Sequence, residues 1–266
     1  MVWNTALQFH RFDRLDSTNR YAKELAVSGA PHGTVVVAEE QTCGRGRLGR
    51  EFFSPKGTGI YLSMVLRPEE IGLDSSSIIL LTTAASVAVA RAVQATLGLD
   101  LKIKWVNDLY YNEKKVCGIL TEGVIDPKQG LLSAIVIGIG VNYKEPLGGF
   151  PKDLKNLAGA LLSADDSGFN DISTQTLIAA IAEELWAILP TVADRTFLED
   201  YRQRSMVLGR KVRIFPKDAG DAHPDLSSNG MIVTALHIDA DGGLVIQQDD
   251  GTIKTLTTGE ISLRIV

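Results

Sequence analysis

At 266 residues, 45% of them hydrophobic, the chain is long enough to bury a sizeable core in one large domain or two unequal ones. Its formal net charge of −5 argues against a general polyanion-binding surface, so any phosphate chemistry has to come from a local cationic cluster. Two cysteines, Cys43 and Cys117, are too few for a disulfide framework, and residues 1–14 hold no apolar signal-peptide core, so the sequence reads as cytoplasmic.

In chain order, Asp16, Ser17 and Asn19 open an apolar pattern at Tyr21, Ala22, Leu25 and Ala26 that Gly29 closes, the start and stop signals of a helix. Strands are predicted at 34–38 and 59–66, with a Gly/Arg-rich loop at 42–50 between them. The longest apolar tract, 78–90, is interrupted by Thr82, Thr83 and Ser86 and falls short of the roughly 20 apolar residues of a membrane span. It belongs to a buried helix over about 76–97. Three or four strands follow between 101 and 142, with Asn112-Glu113-Lys114 as a turn, and then helices at 174–189 and 195–204. From Gly209 onward short β-rich runs punctuated by glycine predict a small all-β module of four or five strands, in which 216–229 reads as a mobile polar loop. The expected fold is α+β, a mixed sheet with helices over one face, followed by a compact β-barrel.

The sharpest local feature is Gly44-Arg45-Gly46-Arg47-Leu48-Gly49-Arg50. Its glycines let backbone approach a ligand closely, and its arginines offer planar forks to carboxylate or phosphate. A solvated surface loop or an Arg–Gly nucleic-acid contact is the competing explanation, and the acidic chain weakens the second. Next comes Lys102-Ile103-Lys104-Trp105-Val106-Asn107-Asp108, where the period of two sets Lys102 and Lys104 against Ile103 and Trp105. Asn107 and Asp108 offer oxygen ligands at the strand end, and Lys115 lies just past the following turn, facing the same cleft. In the run from Ile135 to Asn142, alternation puts Gly138, Gly140 and Asn142 on one face, which clears room for a ligand or for another backbone. Asp16-Ser17-Thr18-Asn19 reads first as a helix cap; with Gln41 it also supplies the uncharged donors and acceptors that a ureido group requires.

In order and spacing, Asp16-Ser17-Thr18-Asn19, Gln41, the 44–50 loop, Ser54-Pro55, the segments KWVND and KKVCGIL, and GIGVN resemble the catalytic domain of biotin protein ligases over about residues 10–145. The β-rich tail is similar to that family's SH3-like C-terminal domain. The resemblance implies a class II synthetase-like catalytic domain over 1–207, an SH3-like domain over 208–266, and an enzyme that makes biotinyl-5'-AMP from biotin and ATP and passes the biotin to a lysine of the carrier protein of a biotin-dependent carboxylase. It further implies that Ser17, Thr18, Asn19, Gln41, Gly44, Arg45, Gly46, Gly118, Gly138 and Gly140 bind biotin. Lys115 and Arg47 would be catalytic, Lys115 also touching biotin, and Arg47, Arg50, Lys104, Asn107 and Asn142 would bind nucleotide, with Asp108 on Mg²⁺. No covalent nucleophile is implied, and both cysteines are incidental. The chain departs from the family pattern at Val106, where proline is usual, at Leu48, where arginine is frequent, and at Phe52, often tryptophan. The catalytic pattern starts near residue 10, too early for an N-terminal helix-turn-helix, so no nucleic-acid or membrane partner is expected; a homodimer is compatible with the family. A lipoate or octanoate ligase of related fold and a non-catalytic biotin or nucleotide sensor are the alternatives.

Overall fold

The structure, a computed structural model, describes residues 7–73, 75–126, 128–164, 173–216, 230–257 and 261–265. The chain opens with β1 (Gln8–Phe12), α1 (Thr18–Val27), β2 (Thr34–Ala38) and β3 (Gly59–Leu66), and two short helices, α2 (Pro68–Ile71) and α3 (Ser75–Ile79), lead into the long α4 (Leu81–Leu97). Four strands succeed one another as predicted: β4 (Lys102–Lys104), β5 (Asp108–Tyr111), β6 (Lys114–Ile125) and β7 (Leu132–Asn142). These seven strands form one sheet in the order β1-β2-β3-β7-β6-β5-β4, parallel at β1–β2 and antiparallel elsewhere. A parallel pair needs a crossover, and α1 supplies it.

Alternation along the strands sorts side chains into two cores. Val35, Val37, Leu62, Met64, Ile137 and Ile139 join the larger one with α4 and α5 (Thr174–Ile188), whereas Val36, Val65 and Val136 pack with Ala22 and Ala26 of α1. Helices therefore lie on both faces of the sheet, not on one as expected. The β1-α1-β2 crossover decides this, and β1 itself went unpredicted because Gln8, His10 and Arg11 give an edge strand no apolar alternation. The helix expected over 76–97 is broken at Leu80 into α3 and α4.

After α6 (Leu198–Arg204), β8 (Lys211–Pro216), β9 (Met231–Ile238), β10 (Leu244–Gln247), β11 (Ile253–Leu256) and β12 (Ile261–Ile265) form an antiparallel sheet in the order β11-β10-β9-β8-β12, the strand number of an SH3-like module. Residues 217–229 of the expected polar loop lie outside the described residues. The β9–β10 turn reaches the main sheet, where Trp105 Nε1 donates to the Gly242 carbonyl at 2.9 Å, and from α6 Tyr201 Oη donates to the Val106 carbonyl at 3.1 Å. The segment carrying Asn107 and Asp108 is thus held from both sides. Among the described residues no helix is long and apolar enough to cross a membrane.

Candidate active site

A cavity of about 310 Å³ opens on the α1 face of the sheet. Strand register builds its floor: Ser63, Gly138 and Leu120 stand side by side on β3, β7 and β6, and Tyr61, Gly140 and Gly118 form the next row. Residues directly opposite in antiparallel strands share a face. Of the predicted residues, Ser17, Thr18, Asn19, Gln41, Arg45, Gly46, Arg47, Arg50, Lys104, Asn107, Asp108, Lys115, Gly118, Gly138 and Gly140 line this one cavity; Gly44 and Asn142 do not.

The polar end is a hydrogen-bonded chain. Although Ser17 is the N-cap residue of α1, its side chain makes no capping bond, so the capping explanation of this cluster does not hold. Thr18 donates from its backbone N and from Oγ1 to Gln41 Oε1 at 2.9 and 3.1 Å, and Gln41 Nε2 donates to Ser54 Oγ at 3.0 Å. The buried Ser63 hydroxyl lies 2.6 Å from Asn19 Oδ1 and 2.8 Å from Thr18 Oγ1, able to donate to either. Asn19 Nδ2 donates to the Leu120 carbonyl at 3.2 Å and to Glu122 Oε2 at 2.9 Å. Both amide hydrogens of Asn19 are thereby used within the protein, which makes it a bracket for its neighbours.

The glycines also serve protein packing. A Cβ on Gly138 would overlap the Asn19 side chain, and one on Gly140 would come within 2.6 Å of Phe52 Cε1. Both glycines line the cavity, with Asn19 and Phe52 packed close against them. Gly44 is buried against the Phe52 carbonyl and Ser54 Oγ, where a side chain cannot fit. Asn142, on the same face of β7, donates from Nδ2 to the Gly159 carbonyl at 2.9 Å and so anchors a neighbouring segment beside the cavity. That segment contributes Leu154, Leu157 and Ala158 as an apolar wall, tied down where Lys115 N donates to the Leu157 carbonyl at 3.0 Å and Gly159 N to the Lys115 carbonyl at 2.8 Å. No periodicity or motif marks it in the sequence.

The Gly/Arg loop closes on itself: Gly46 N donates to the Arg50 carbonyl at 2.7 Å and Phe52 N to the Gly44 carbonyl at 2.9 Å. Arg47, partly buried, donates from Nη1 to Asn107 Oδ1 at 3.0 Å, and Asn107 Nδ2 donates to the Ile119 carbonyl at 2.9 Å. Burial lowers the pKa of the Arg47 guanidinium, opposed by the Asp108 carboxylate and reinforced by Arg50. The group stays cationic at any physiological pH. Lys115 Nζ lies 2.6 Å from Asp108 Oδ1, a distance of direct ion pairing. The angles are not those of a hydrogen bond, and that buried oxygen has no hydrogen-bond donor. The contact is a charge pair that sets one cation and one anion side by side in the cavity.

Sequence reasoning missed Glu122. It sits on β6 opposite Val136, in the row next to the floor and on the same face, accepting from Lys23 Nζ at 2.7 Å and from Asn19. Burial pushes its carboxyl pKa up, but hydrogen bonds from Lys23 and Asn19 and the charges of Lys23 and Arg45 outweigh this and hold it below the usual range. Cys117, fully buried on β6, has its thiol pushed up by burial despite nearby Lys115, whereas Cys43 is exposed. Iodoacetamide should therefore label Cys43 in the native protein and both thiols only after denaturation; native labelling of Cys117, read by peptide mass, would contradict that burial.

The sequence matches the Biotin/lipoate A/B protein ligase family over residues 11–142 and the Biotin protein ligase C terminal domain over 228–264. The bifunctional ligase/repressor BirA of Escherichia coli K12 is 33% identical over 254 residues, covering 94% of this chain and 72% of that protein. The chain belongs to the biotin protein ligase family. A second relative in that family, the biotin–[acetyl-CoA-carboxylase] ligase of Mycobacterium tuberculosis, is 31% identical over 204 residues, with 74% of this chain and 71% of that protein covered. The biotin protein ligase of Aquifex aeolicus, solved in complex with biotin and ATP, superposes with a TM-score of 0.75 at 25% identity, covering 97% of this chain and 99% of that one. Against BirA of Bacillus subtilis the match is 41% identical over 152 residues, and the chain spans 45% of that relative's length.

Proposed function

We propose that this protein is an ATP-dependent biotin ligase, which forms biotinyl-5'-AMP from biotin and ATP and transfers the biotin to a lysine of a biotin carboxyl carrier protein. The observation that carries the proposal is the convergence on one cavity of an uncharged polar end, Ser17, Thr18 and Gln41, and a cationic end, Lys104, Arg47 and Lys115. A ureido acid needs the first and a triphosphate the second. The Aquifex aeolicus relative holds biotin and ATP, and the Mycobacterium tuberculosis relative is named for carboxylase biotinylation, which supports the same substrates here. Catalysis belongs, on this reading, to 1–207, and 208–266 is the SH3-like module.

In the first step the biotin carboxylate oxygen bonds to the α-phosphorus and the bond to the leaving pyrophosphate breaks. Two anions must meet, so positioned cations lower the barrier, and Lys115 and Arg47 sit where they can. In the second step a neutral lysine amine attacks the anhydride carbonyl, AMP leaves with the bonding pair, and the amine loses its proton to form the amide. Magnesium would be held by the Asp108 carboxylate, a cavity-lining oxygen donor, since this ion is usually held by one or two carboxylates and the substrate's phosphates. Bound there it would neutralise phosphate charge. Among the described residues no three His, Cys, Asp or Glu side chains converge on a point, so the protein alone offers no metal cage.

Pyrophosphate exchange with biotin, lipoate and octanoate as alternative acids tests the proposal. Biotin should support exchange; exchange with octanoate and not with biotin would move the protein to the lipoate-type branch, and biotin binding without exchange or transfer would leave a sensor. The uncharged polar end at Ser17, Thr18 and Gln41 suits a ureido group better than an octanoyl tail.

Arg47→Ala should speed loss of the bound adenylate by roughly 10–100-fold, the range for one hydrogen bond to a charged group. Bystander proteins should then gain biotin. An unchanged off-rate for the adenylate would remove Arg47 from phosphate binding.

A further inference from the structure

Lys104 pairs directly with Asp108, so β4 and β5 are joined by Trp105, Val106 and Asn107 alone. Each of these three residues is bonded to a different part of the molecule. Asn107 lines the cavity, its Oδ1 taking the Arg47 hydrogen bond at 3.0 Å and its Nδ2 donating to the Ile119 carbonyl at 2.9 Å. The Val106 carbonyl accepts from Tyr201, and the buried Trp105 indole donates from Nε1 to the Gly242 carbonyl of the β9–β10 turn at 2.9 Å. A connection this short has no spare residue to absorb a displacement, so what moves Trp105 moves Asn107.

The turn that receives the indole is fixed from within and from without. Asp239 Oδ1 accepts from the backbone N of Asp241 and of Gly243 at 2.9 and 2.8 Å, which holds the Gly242 carbonyl between them. Arg195 donates to the Ala240 carbonyl at 3.0 Å and pairs with Asp241 at 3.1 Å, and Arg202 of α6 donates to the Ile238 and Asp239 carbonyls at 3.0 and 3.3 Å. The carbonyls of Ile238, Asp239, Ala240 and Gly242 thus all accept from side chains that precede the C-terminal module in the chain. Taking the biotin ligase assignment as given, we propose that Trp105 is a positioning residue: it carries the position of this turn to Asn107 and on to Arg47, so that the C-terminal module sets the nucleotide end of the cavity and not its uncharged end. The uncharged end is held separately, by the bonds that join Thr18, Asn19 and Gln41 to Ser54, Ser63, Leu120 and Glu122.

Trp105→Phe keeps an aromatic ring in place and removes the Nε1 donor. In biotin-dependent pyrophosphate exchange by the full chain, KM for ATP should rise roughly 3–10-fold, the scale of one neutral hydrogen bond, while the calorimetric Kd for biotin stays unchanged. Asp239→Ala, which unties the turn at the far end of the same path, should raise KM for ATP by a similar factor. The double variant should be no worse than the worse single one, because both changes break one linkage. An unchanged KM, a biotin Kd that rises along with it, or factors that multiply in the double variant would each overturn the proposal. If Trp105→Phe does not fold, Arg195→Ala, at a partly exposed position that grips the turn, must by itself raise KM for ATP at constant biotin Kd, and no rise overturns it. Wild-type protein that shows no biotin-dependent exchange would instead overturn the ligase assignment on which the proposal rests.

Discussion

Lys115→Ala should slow formation of the adenylate by roughly 10²–10³, the usual cost of removing one preorganised donor from developing negative charge. The side chain is placed for that task from both its ends. Its backbone is clamped between the Leu157 carbonyl and Gly159 N, and its ammonium stands 2.6 Å from Asp108 Oδ1 within the cavity. Removing it also strips Asp108 of a partner and leaves a carboxylate facing incoming phosphate, so the loss should show in adenylation more than in transfer. Transfer from added biotinyl-adenylate should suffer less because the attacking amine is neutral and the anhydride already activated. Lys115→Arg should recover little: the Lys115 ammonium packs 3.3 Å from where a Cβ on Gly118 would stand, a space made for a compact head and not a planar fork. Stopped-flow measurement of the two steps separates these outcomes. Equal losses in both, or none in the first, would hand the role to Arg47 or Lys104.

The parts of this site that could be read in advance are those in which chemistry is written in consecutive residues. The Gly/Arg loop, the Lys104-to-Asp108 strand end and Lys115 beyond its turn each carry their charges within a few positions, so each cluster is recognisable by itself before the fold joins them, as in the Arg47–Asn107 bond. What could not be read depends on register. Ser63 and Glu122 reach the site only because β3, β7 and β6 align Ser63 with Gly138 and Glu122 with Val136, and nothing local announces that pairing. Asn142 shows the converse: alternation put it on the ligand face correctly enough, but a segment 17 residues further on captured its amide through Gly159. The fold behaves in the same way. Strands with strong alternation were legible, and the polar edge strand β1 was not, although it is β1 that fixes the side of the sheet on which α1 lies and hence where the cavity opens.

Gly138→Ala separates the two explanations for the glycines of β7. If Gly138 only clears room for biotin, a methyl group there should lower affinity and leave the fold alone, even strengthening the strand slightly, since alanine loses less backbone entropy than glycine. The structure requires something else. The added Cβ would overlap the Asn19 side chain, and Asn19 cannot move without giving up its bonds to Ser63, the Leu120 carbonyl and Glu122. Overpacking a tight site costs about 1–3 kcal/mol, and each buried polar group left unpaired adds about 1–3 kcal/mol. A combined loss of about 2–6 kcal/mol should lower the melting temperature by roughly 5–20 °C for a chain of this size. Biotin binding should fall with it, because Ser63 and Thr18 lose the neighbour that orders them. Asn19→Ala in the Gly138→Ala background decides the cause: removing the amide removes the overlap, so the double variant should melt above Gly138→Ala even though Asn19→Ala alone melts below the parent. A double variant no more stable than Gly138→Ala would show that the methyl group meets some other obstacle, and a Gly138→Ala protein as stable as the parent would return the glycine to the ligand.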